Sequence, residues 1–238
     1  MEHGFSWVAT APGLSYMKPH TATAVLVVIG LLAWAWIANR RLAAAADPVV
    51  PDGTLSARNS VEIFVEWFVG FMEGIMGRAG RKYIALYGSF FLFILVANFM
   101  GLVPGFSPPT SDFNVTLALG ATSFVLYNAI GFKELGVGYL KHFMGPIWWL
   151  VPLMLPLELI DNCVRPFSLA LRLFGNMTGD HLVLAIFTDL TKLFIPIVFY
   201  ALGAFVSLVQ AFVFTILSVV YLLLAVAHHG DEEHEHHH

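Results

Sequence analysis

The sequence predicts an all-α polytopic membrane protein with five membrane-crossing helices and one interfacial amphipathic helix. Of the 238 residues, 58% are hydrophobic and only 12% are charged, whereas a soluble domain carries about 25% charged residues. The mean hydropathy of +0.76 agrees with this composition. Four uncharged, mostly apolar runs also approach or exceed the ~20 residues that a helix needs to cross the hydrocarbon core, and a fifth long segment, 145–187, carries several charges.

The predicted crossings follow one another along a single membrane domain, residues 1–226. They cover residues 21–38, 83–103, 113–132, 145–187 and 190–228. The last of them contains an uncharged run of 35 residues, 193–227. A run this long exceeds one perpendicular crossing, so we expect it to be strongly tilted. The last two crossings are therefore predicted to form a long tilted hairpin.

Residues 58–77 form the predicted interfacial helix. Glu62, Glu66 and Glu73 fall on one face at helical spacing, and apolar residues cover most of the remainder. Such a pattern is typical of a helix that lies in the plane of the membrane surface. A sixth crossing with buried glutamates is the alternative.

The positive charges predict the orientation. Lysine and arginine cluster after the first crossing, before the second and after the third, while the loop at 104–112 has none. Because cytoplasmic loops carry the excess of positive charge, the N-terminus is expected outside and the C-terminus in the cytoplasm. Residues 229–238 are rich in histidine and acidic residues and predict a disordered cytoplasmic tail, with weak metal binding as the alternative.

A polar stripe runs along the fourth predicted crossing and surrounds Arg172. On an ideal helix with 100° per residue, these residues lie within about 40° of Arg172: Glu158, Asp161, Arg165, Ser168, Asn176 and Gly179. Asp180 lies about 80° away and His181 about 180° away on the same helix.

Arg172 points to a function because its charge is costly at this depth. An arginine at the centre of a membrane costs about 2.5–3.5 kcal/mol on insertion scales, and its guanidinium cannot be deprotonated in a protein. It is therefore a fixed cation that would favour the ionised form of a neighbouring carboxylate. The alternative is a structural salt bridge to Glu158 or Asp161. Arg165 lies nearer the cytoplasmic end, where it can snorkel.

The last predicted helix offers a matching polar face, formed by Gly203, Ser207, Gln210 and Tyr221. Gln210 carries the only amide in that apolar run. A buried amide needs partners, which the stripe around Arg172 can supply. Gln210 could hold the two helices together or act in the function, and the two roles are compatible.

The sequence lacks the features that several other classes of function require. The single cysteine, Cys163, excludes an internal disulfide and is expected to be a buried, inert thiol. No basic patch with interleaved aromatic residues predicts nucleic-acid binding. The chain also lacks the GxxxxGK[ST] loop that binds ATP. We expect no cofactor and no metal site.

Four motifs resemble those of one family. SLALRLFGNM at 168–177 is similar to the signature of subunit a of the F-type ATP synthase, the membrane stator that carries protons to the rotor. NFMGLVPG at 98–105 and PTSDFNVTLALG at 109–120 resemble its second-to-third crossing. LVQAFVFTILSVVYL at 208–222 resembles its last helix.

The resemblance implies a set of partners and a location. Subunit a is a non-catalytic part of the bacterial inner membrane that packs against the c-subunit ring and the b-subunit peripheral stalk. Each c subunit carries a carboxylate at mid-membrane depth. Two half-channels in subunit a connect that carboxylate to opposite sides of the membrane.

The resemblance also implies residue roles. Arg172 matches the family arginine that separates the half-channels and attracts the ionised rotor carboxylate. Glu158 and Ser168 match the inner, cytoplasmic half-channel. The positions that match the outer half-channel are Asn176, Asp180, His181 and Gln210.

One departure concerns the outer half-channel. Many members of the family have a glutamate at the position of His181 and a histidine at the position of Gly203. Here the acid and the imidazole are neighbours in the chain, Asp180 and His181, and Gly203 leaves space opposite them. Since a histidine titrates near neutral pH, this pair favours a role in proton entry.

A secondary transporter is the main alternative class of function. Transporters also bury charges in broken helices, but their folds usually show paired internal repeats, and no convincing repeat is present here. A purely structural membrane scaffold would not require Arg172 and Asp180 at membrane depth. A haem-binding electron carrier would need axial ligands within the crossings, and His181 alone is too few.

Overall fold

The computed structural model describes residues 16–44, 56–136, 138–139, 148–190 and 194–227. Within these ranges, all regular elements are helical. The α-helices are α1 (Pro19–Ala43), α2 (Ala57–Met76), α3 (Ile84–Met100), α4 (Phe113–Leu135), α5 (Val151–Leu190) and α6 (Phe194–Ala227). Short 3₁₀ segments precede α3, α4 and α5. The all-α prediction is confirmed for this part of the chain.

The predicted segments correspond to these helices in order, with shifted ends. The first crossing extends to residues 19–43, because the helix continues through Arg40 and Arg41, whose cationic side chains suit a helix C-terminus. The fourth crossing was predicted from residue 145, whereas α5 begins at Val151 after a 3₁₀ turn at Trp148–Leu150. The predicted tail at 229–238 lies outside the described residues.

Four helical stretches of the described residues are long and apolar enough to cross a membrane. They are Pro19–Ala43, Ala57–Met100, Phe113–Leu135 and Ile197–Val226. The stretch at 57–100 contains α2, α3 and the 3₁₀ turn between them. The 40-residue α5 is long enough but carries charged residues along much of its length. The number of crossings stays a prediction.

Helix α6 lies at the centre of the bundle and packs against α3, α4 and α5. Its apolar residues Phe214, Val219 and Leu222 are completely buried, and Ile94 of α3 and Leu173 of α5 belong to the same core. The outer faces of the helices expose large apolar side chains. An apolar exterior around an apolar core is what a lipid environment requires of a membrane protein.

Helix α2 attaches to the bundle through aromatic side chains. Trp67 and Phe71 make edge-on contacts with Phe212 of α6, and Phe68 packs on Phe91 of α3. Its N-terminus is capped by Ser56, whose hydroxyl accepts a hydrogen bond from the backbone N–H of Asn59 at 3.3 Å. The aromatic side chains of α2 therefore pack against α3 and α6.

A buried polar network joins α4 to α5. The Tyr127 hydroxyl donates to Oδ1 of Asn162 at 2.6 Å, and Nδ2 of Asn162 donates to Oδ1 of Asn128 at 3.2 Å. The Tyr139 hydroxyl donates to the same Asn128 oxygen at 2.7 Å. Each bond satisfies a polar atom that would otherwise be costly to bury.

We predict that Tyr127→Phe destabilises the protein by about 1–3 kcal/mol, because it removes the hydroxyl donor from the buried Asn162 oxygen. Thr122→Val is the matched control, since the exposed Thr122 hydroxyl bonds only to the carbonyl of Ala118 in its own helix. The measurement is the thermal unfolding midpoint of the purified protein in detergent, followed by circular dichroism. Equal shifts in the two variants would contradict the prediction.

Candidate functional site

Helix α5 has one face in the core and one face outside it. Leu169, Leu173 and Met177 are buried against the bundle. The opposite face is exposed and carries Ser168, Arg172, Gly175 and Gly179, spaced by four, three and four residues. This spacing places them in one line along the helix. Arg172 therefore projects from a strip of small residues.

The Arg172 guanidinium is exposed and makes no ion pair or hydrogen bond with any described residue. The salt bridge to Glu158 or Asp161, considered above as the alternative, is therefore absent.

The carboxylates of Glu158 and Asp161 interact with Arg165 instead. Its Nε donates to Asp161 Oδ2 at 2.9 Å, its Nη2 binds the same oxygen, and Nη2 lies 3.8 Å from Glu158 Oε1. The guanidinium also lies over the Tyr221 ring, 5.4 Å from its centroid. Only 18% of the Arg165 side chain is exposed. Arg165 is thus neutralised by carboxylates, whereas Arg172, about two helical turns further along α5, is not paired with any described residue.

Asn176 and Gln210 connect α5 to α6. Nδ2 of Asn176 donates to Oε1 of Gln210 at 2.6 Å. Gln210 is only 4% exposed and Ser207, one turn away on α6, only 1%. Gln210 Nε2 and Ser207 Oγ are buried without a hydrogen-bond partner in the described protein. Asn176 of the polar stripe is thus a partner for the side-chain oxygen of Gln210, but the structure shows no partner for its nitrogen among the described residues.

Asp180 fits against the backbone of α6. A Cβ atom built on Gly203 would lie 2.5 Å from Oδ2 of Asp180 and 2.9 Å from Cδ2 of Leu102. The carboxylate therefore occupies the space that a larger side chain at position 203 would fill.

His181 lies against a different element, the turn that follows α3. Its Nε2 would be 2.8 Å from a Cβ built on Gly101, and the Cβ of Pro108 would be 2.6 Å from the same point. Nε2 is buried and has no hydrogen-bond partner among the described residues. Although Asp180 and His181 are neighbours in sequence, one faces α6 and the other faces the 101–108 turn.

Asn98 of α3 also belongs to this cluster, although it is not among the site residues predicted from the sequence. The Thr110 hydroxyl donates to Oδ1 of Asn98 at 2.7 Å, and Nδ2 of Asn98 donates to the carbonyl of Ser207 at 3.4 Å. An amide within the apolar run of α3 is the same signal that singled out Gln210. Thus α3, the following turn, α5 and α6 meet in one polar cluster at this end of the bundle.

The site residues divide along α5. Glu158 and Ser168 precede Arg172, while Asn176, Asp180 and His181 follow it toward the 101–112 turn. Among the described residues, no three histidine, cysteine or acidic side chains are placed to hold a metal ion. Cys163 is exposed, so its predicted burial was wrong, because its position on α5 faces away from the bundle.

The comparisons identify the family. A family model described as ATP synthase A chain matches residues 21–223. The chain belongs to this family. It is 42% identical over 225 residues to ATP synthase subunit a of Bdellovibrio bacteriovorus, which covers 94% of this chain and 98% of the relative. The resemblance inferred from the four motifs is confirmed.

Two further relatives carry the same name. ATP synthase subunit a of Oleidesulfovibrio alaskensis is 46% identical over 171 residues, or 72% of this chain and 73% of the relative. That of Geobacter sulfurreducens is 42% identical over 197 residues, or 83% and 82%. The matches thus extend over most of the chain in a family of membrane subunits from bacteria.

We predict that Gly203→Ala destabilises this subunit a by about 1–3 kcal/mol, because the new methyl group displaces the Asp180 carboxylate. Asp180→Ala should relieve the clash, so a double-mutant cycle should give a coupling energy of about 0.5–3 kcal/mol. Gly175→Ala is the control, since nothing lies within 4 Å of its Cβ position. Denaturation midpoints in detergent measure the four free energies, and additive effects would contradict the contact.

Proposed function

We propose that this protein is the proton-translocating stator subunit of a bacterial F-type ATP synthase, with two offset half-channels separated by Arg172. The observation that carries the proposal is the state of Arg172, a fixed cation that is exposed, unpaired within the described chain and set in a line of small residues. A structural arginine in an apolar helix would have a carboxylate partner, as Arg165 does.

The small residues around Arg172 suit a close approach by the rotor. Ser168, Gly175 and Gly179 lie on the same exposed face, and nothing lies within 4 Å of a Cβ built on either glycine. Small residues let membrane helices pack closely. A c-ring helix lying along this strip would bring its carboxylate to the guanidinium.

The guanidinium then controls the rotor carboxylate electrostatically. A carboxylate beside a fixed cation is stabilised in its ionised form, so it releases its proton on arrival. Arginine cannot accept that proton. The same positive charge repels protons, so it prevents direct leakage between the half-channels.

The outer half-channel is assigned to Asn176, Asp180, His181 and Gln210. The support for this assignment is the buried and unpartnered Nε2 atoms of His181 and Gln210 in one polar cluster. An unsatisfied buried polar atom costs about 1–3 kcal/mol, so these two atoms favour the binding of water, which can both donate and accept a hydrogen bond. The 101–112 turn then faces the outside.

The inner half-channel is assigned to Glu158 and Ser168. Ser168 lies one turn before Arg172 on the same exposed face, and Glu158 is only part-buried. The ion pairs of Arg165 hold Asp161 and Glu158 on this side of Arg172. A proton leaving the rotor toward the cytoplasm would pass Ser168 and then Glu158.

The topology that accompanies this function has five crossings, α1, α3, α4, α5 and α6, with α2 at the membrane surface. The N-terminus lies outside and the C-terminus in the cytoplasm of a bacterial inner membrane. The partners are the c-subunit ring, the b-subunit peripheral stalk, the remaining synthase subunits and lipid.

The protein supplies routes and an electrostatic gate and makes no chemical bonds itself. Each proton that crosses a potential of 100 mV carries about 2.3 kcal/mol. Phosphoryl transfer takes place in the soluble part of the complex. No cofactor is required for proton passage.

We expect Arg172→Ala to abolish ATP-driven proton pumping while the complex still assembles, because the rotor carboxylate loses its ionising partner. Arg165→Ala should weaken pumping at most, since Arg165 pairs within the chain. The measurement is acidification of inverted membrane vesicles, followed by a fluorescent dye after addition of ATP. Subunit content in the purified complex serves as the assembly control.

Two results would overturn the proposal. Normal pumping by Arg172→Ala would make the arginine a structural group. Equal loss of pumping in both variants with intact assembly would show that Arg172 has no role distinct from that of Arg165.

A further inference from the structure

His20 of α1 contacts the turn that carries the outer end of the site. Its Nδ1 lies 3.1 Å from the carbonyl oxygen of Pro108 and 3.2 Å from the hydroxyl of Ser111. His20 is part-buried there. The family motifs and the site described above leave this imidazole without a role.

Pro108 links the two imidazoles. Its carbonyl oxygen contacts His20, while its Cβ and the Nε2 of His181 converge on the same side of Gly101. Only the Pro108 turn therefore separates an imidazole at the end of α1 from the buried imidazole of α5.

Both protonation states of His20 Nδ1 have a partner. When Nδ1 carries a proton, it can donate to the Pro108 carbonyl, which also accepts from the Ser111 hydroxyl at 2.9 Å. When Nδ1 carries no proton, the Ser111 hydroxyl can turn from that carbonyl and donate to Nδ1 instead. In either state, Nδ1 of His20 therefore has a hydrogen-bond partner on the turn that contains Pro108 and Ser111.

We propose that His20 is the proton-collecting residue at the outer mouth of the route to His181 and Asp180, so that α1 forms part of the half-channel. This inference rests on the proposed function. The ring binds one proton from the outer solution and releases one proton toward His181, so charge and atoms balance over each passage.

The other charged groups near His20 are less suited to this step. Lys18 immediately precedes α1, and its ammonium group is a hydrogen-bond donor that cannot accept. Asp112 accepts a hydrogen bond from the backbone N–H of Asn114 at 2.8 Å, which lowers the pKa of Asp112 below its usual value and keeps it ionised. Helix α3 brings no charged residue, and Asp180 and His181 lie deeper in the site.

The residues through which α1 contacts α2 lie too far from His20 to take part in this proton transfer. This contact includes the hydrogen bond from Trp34 Nε1 to the Ser60 hydroxyl at 3.2 Å. Trp34 is fourteen residues after His20, or about 21 Å along α1. Among the described residues at this mouth, the imidazole is the type of side chain whose ordinary pKa lies closest to neutral pH.

The test uses the complete synthase reconstituted in liposomes, with the lumen corresponding to the outer side. ATP synthesis is started by an acid–base transition at lumenal pH values that span the usual titration range of histidine. The variants are His20→Asn, which can keep the hydrogen bond to Pro108 but carries no proton, His20→Ala, and the neighbouring control Thr21→Ala.

We expect His20→Asn and His20→Ala to synthesise ATP several-fold more slowly than the wild type at the alkaline end of the lumenal range, where protons are scarce. At the acidic end the rates should converge, so the pH profile moves toward lower pH. Imidazole buffer in the lumen should restore the rate, because a mobile imidazole replaces the missing collector. Thr21→Ala should follow the wild type.

The inference is overturned if His20→Asn matches the wild type at every lumenal pH, since His20 would then only fasten α1 to the turn. It is also overturned if both variants are slow at all pH values and imidazole does not help. Arg172→Ala in the same assay separates the two proposals: if it synthesises ATP normally, the stator mechanism fails, whereas an inactive Arg172→Ala beside a normal His20→Asn removes only the role of His20.

Discussion

The rest of the arrangement depends on the distribution of charge along α5. Two arginines lie seven residues apart, and the two nearby carboxylates both bind Arg165. A charge at membrane depth is normally paired, so Arg172, which has no ion pair with a described residue, requires water or another group nearby. The pairing of Arg165 therefore defines Arg172 as the group that faces outward, and it divides the polar residues of α5 into two sets.

Helix α6 supports this division by accepting polar groups from α5 on one side of Arg172. Gln210 binds Asn176, and the absence of a side chain at Gly203 gives Asp180 its position. The same region receives Asn98 from α3 and His181 near Pro108. Apolar packing of Phe214 and Leu222 fixes α6 farther along the helix. Helix α6 thus contributes both to the polar cluster and to the apolar core. Its packing in the core fixes the position of the polar cluster relative to Arg172.

Much of the site could be expected from sequence because its signals are local. A polar residue in an apolar run is costly to bury, so Arg172 and Gln210 stand out without any structure. Asn98 carries the same signal, but its partners Ser207 and Thr110 lie on other segments, so the sequence alone did not connect it to the site. The contact of His20 with Pro108 could not be predicted, since the two residues are 88 positions apart and neither belongs to a periodic pattern.

The sequence by itself determined the helices, their order and the polar stripe of α5, because hydrophobic periodicity and run length depend only on residues near one another in the chain. It also determined the family, through motifs spread over most of the length. The tertiary structure decided which arginine is neutralised, which of the neighbours Asp180 and His181 faces α6, and which turn α1 contacts. These outcomes depend on how whole helices rotate and pack against one another, and in α5 a rotation of about 100° between successive residues directs adjacent side chains to different partners.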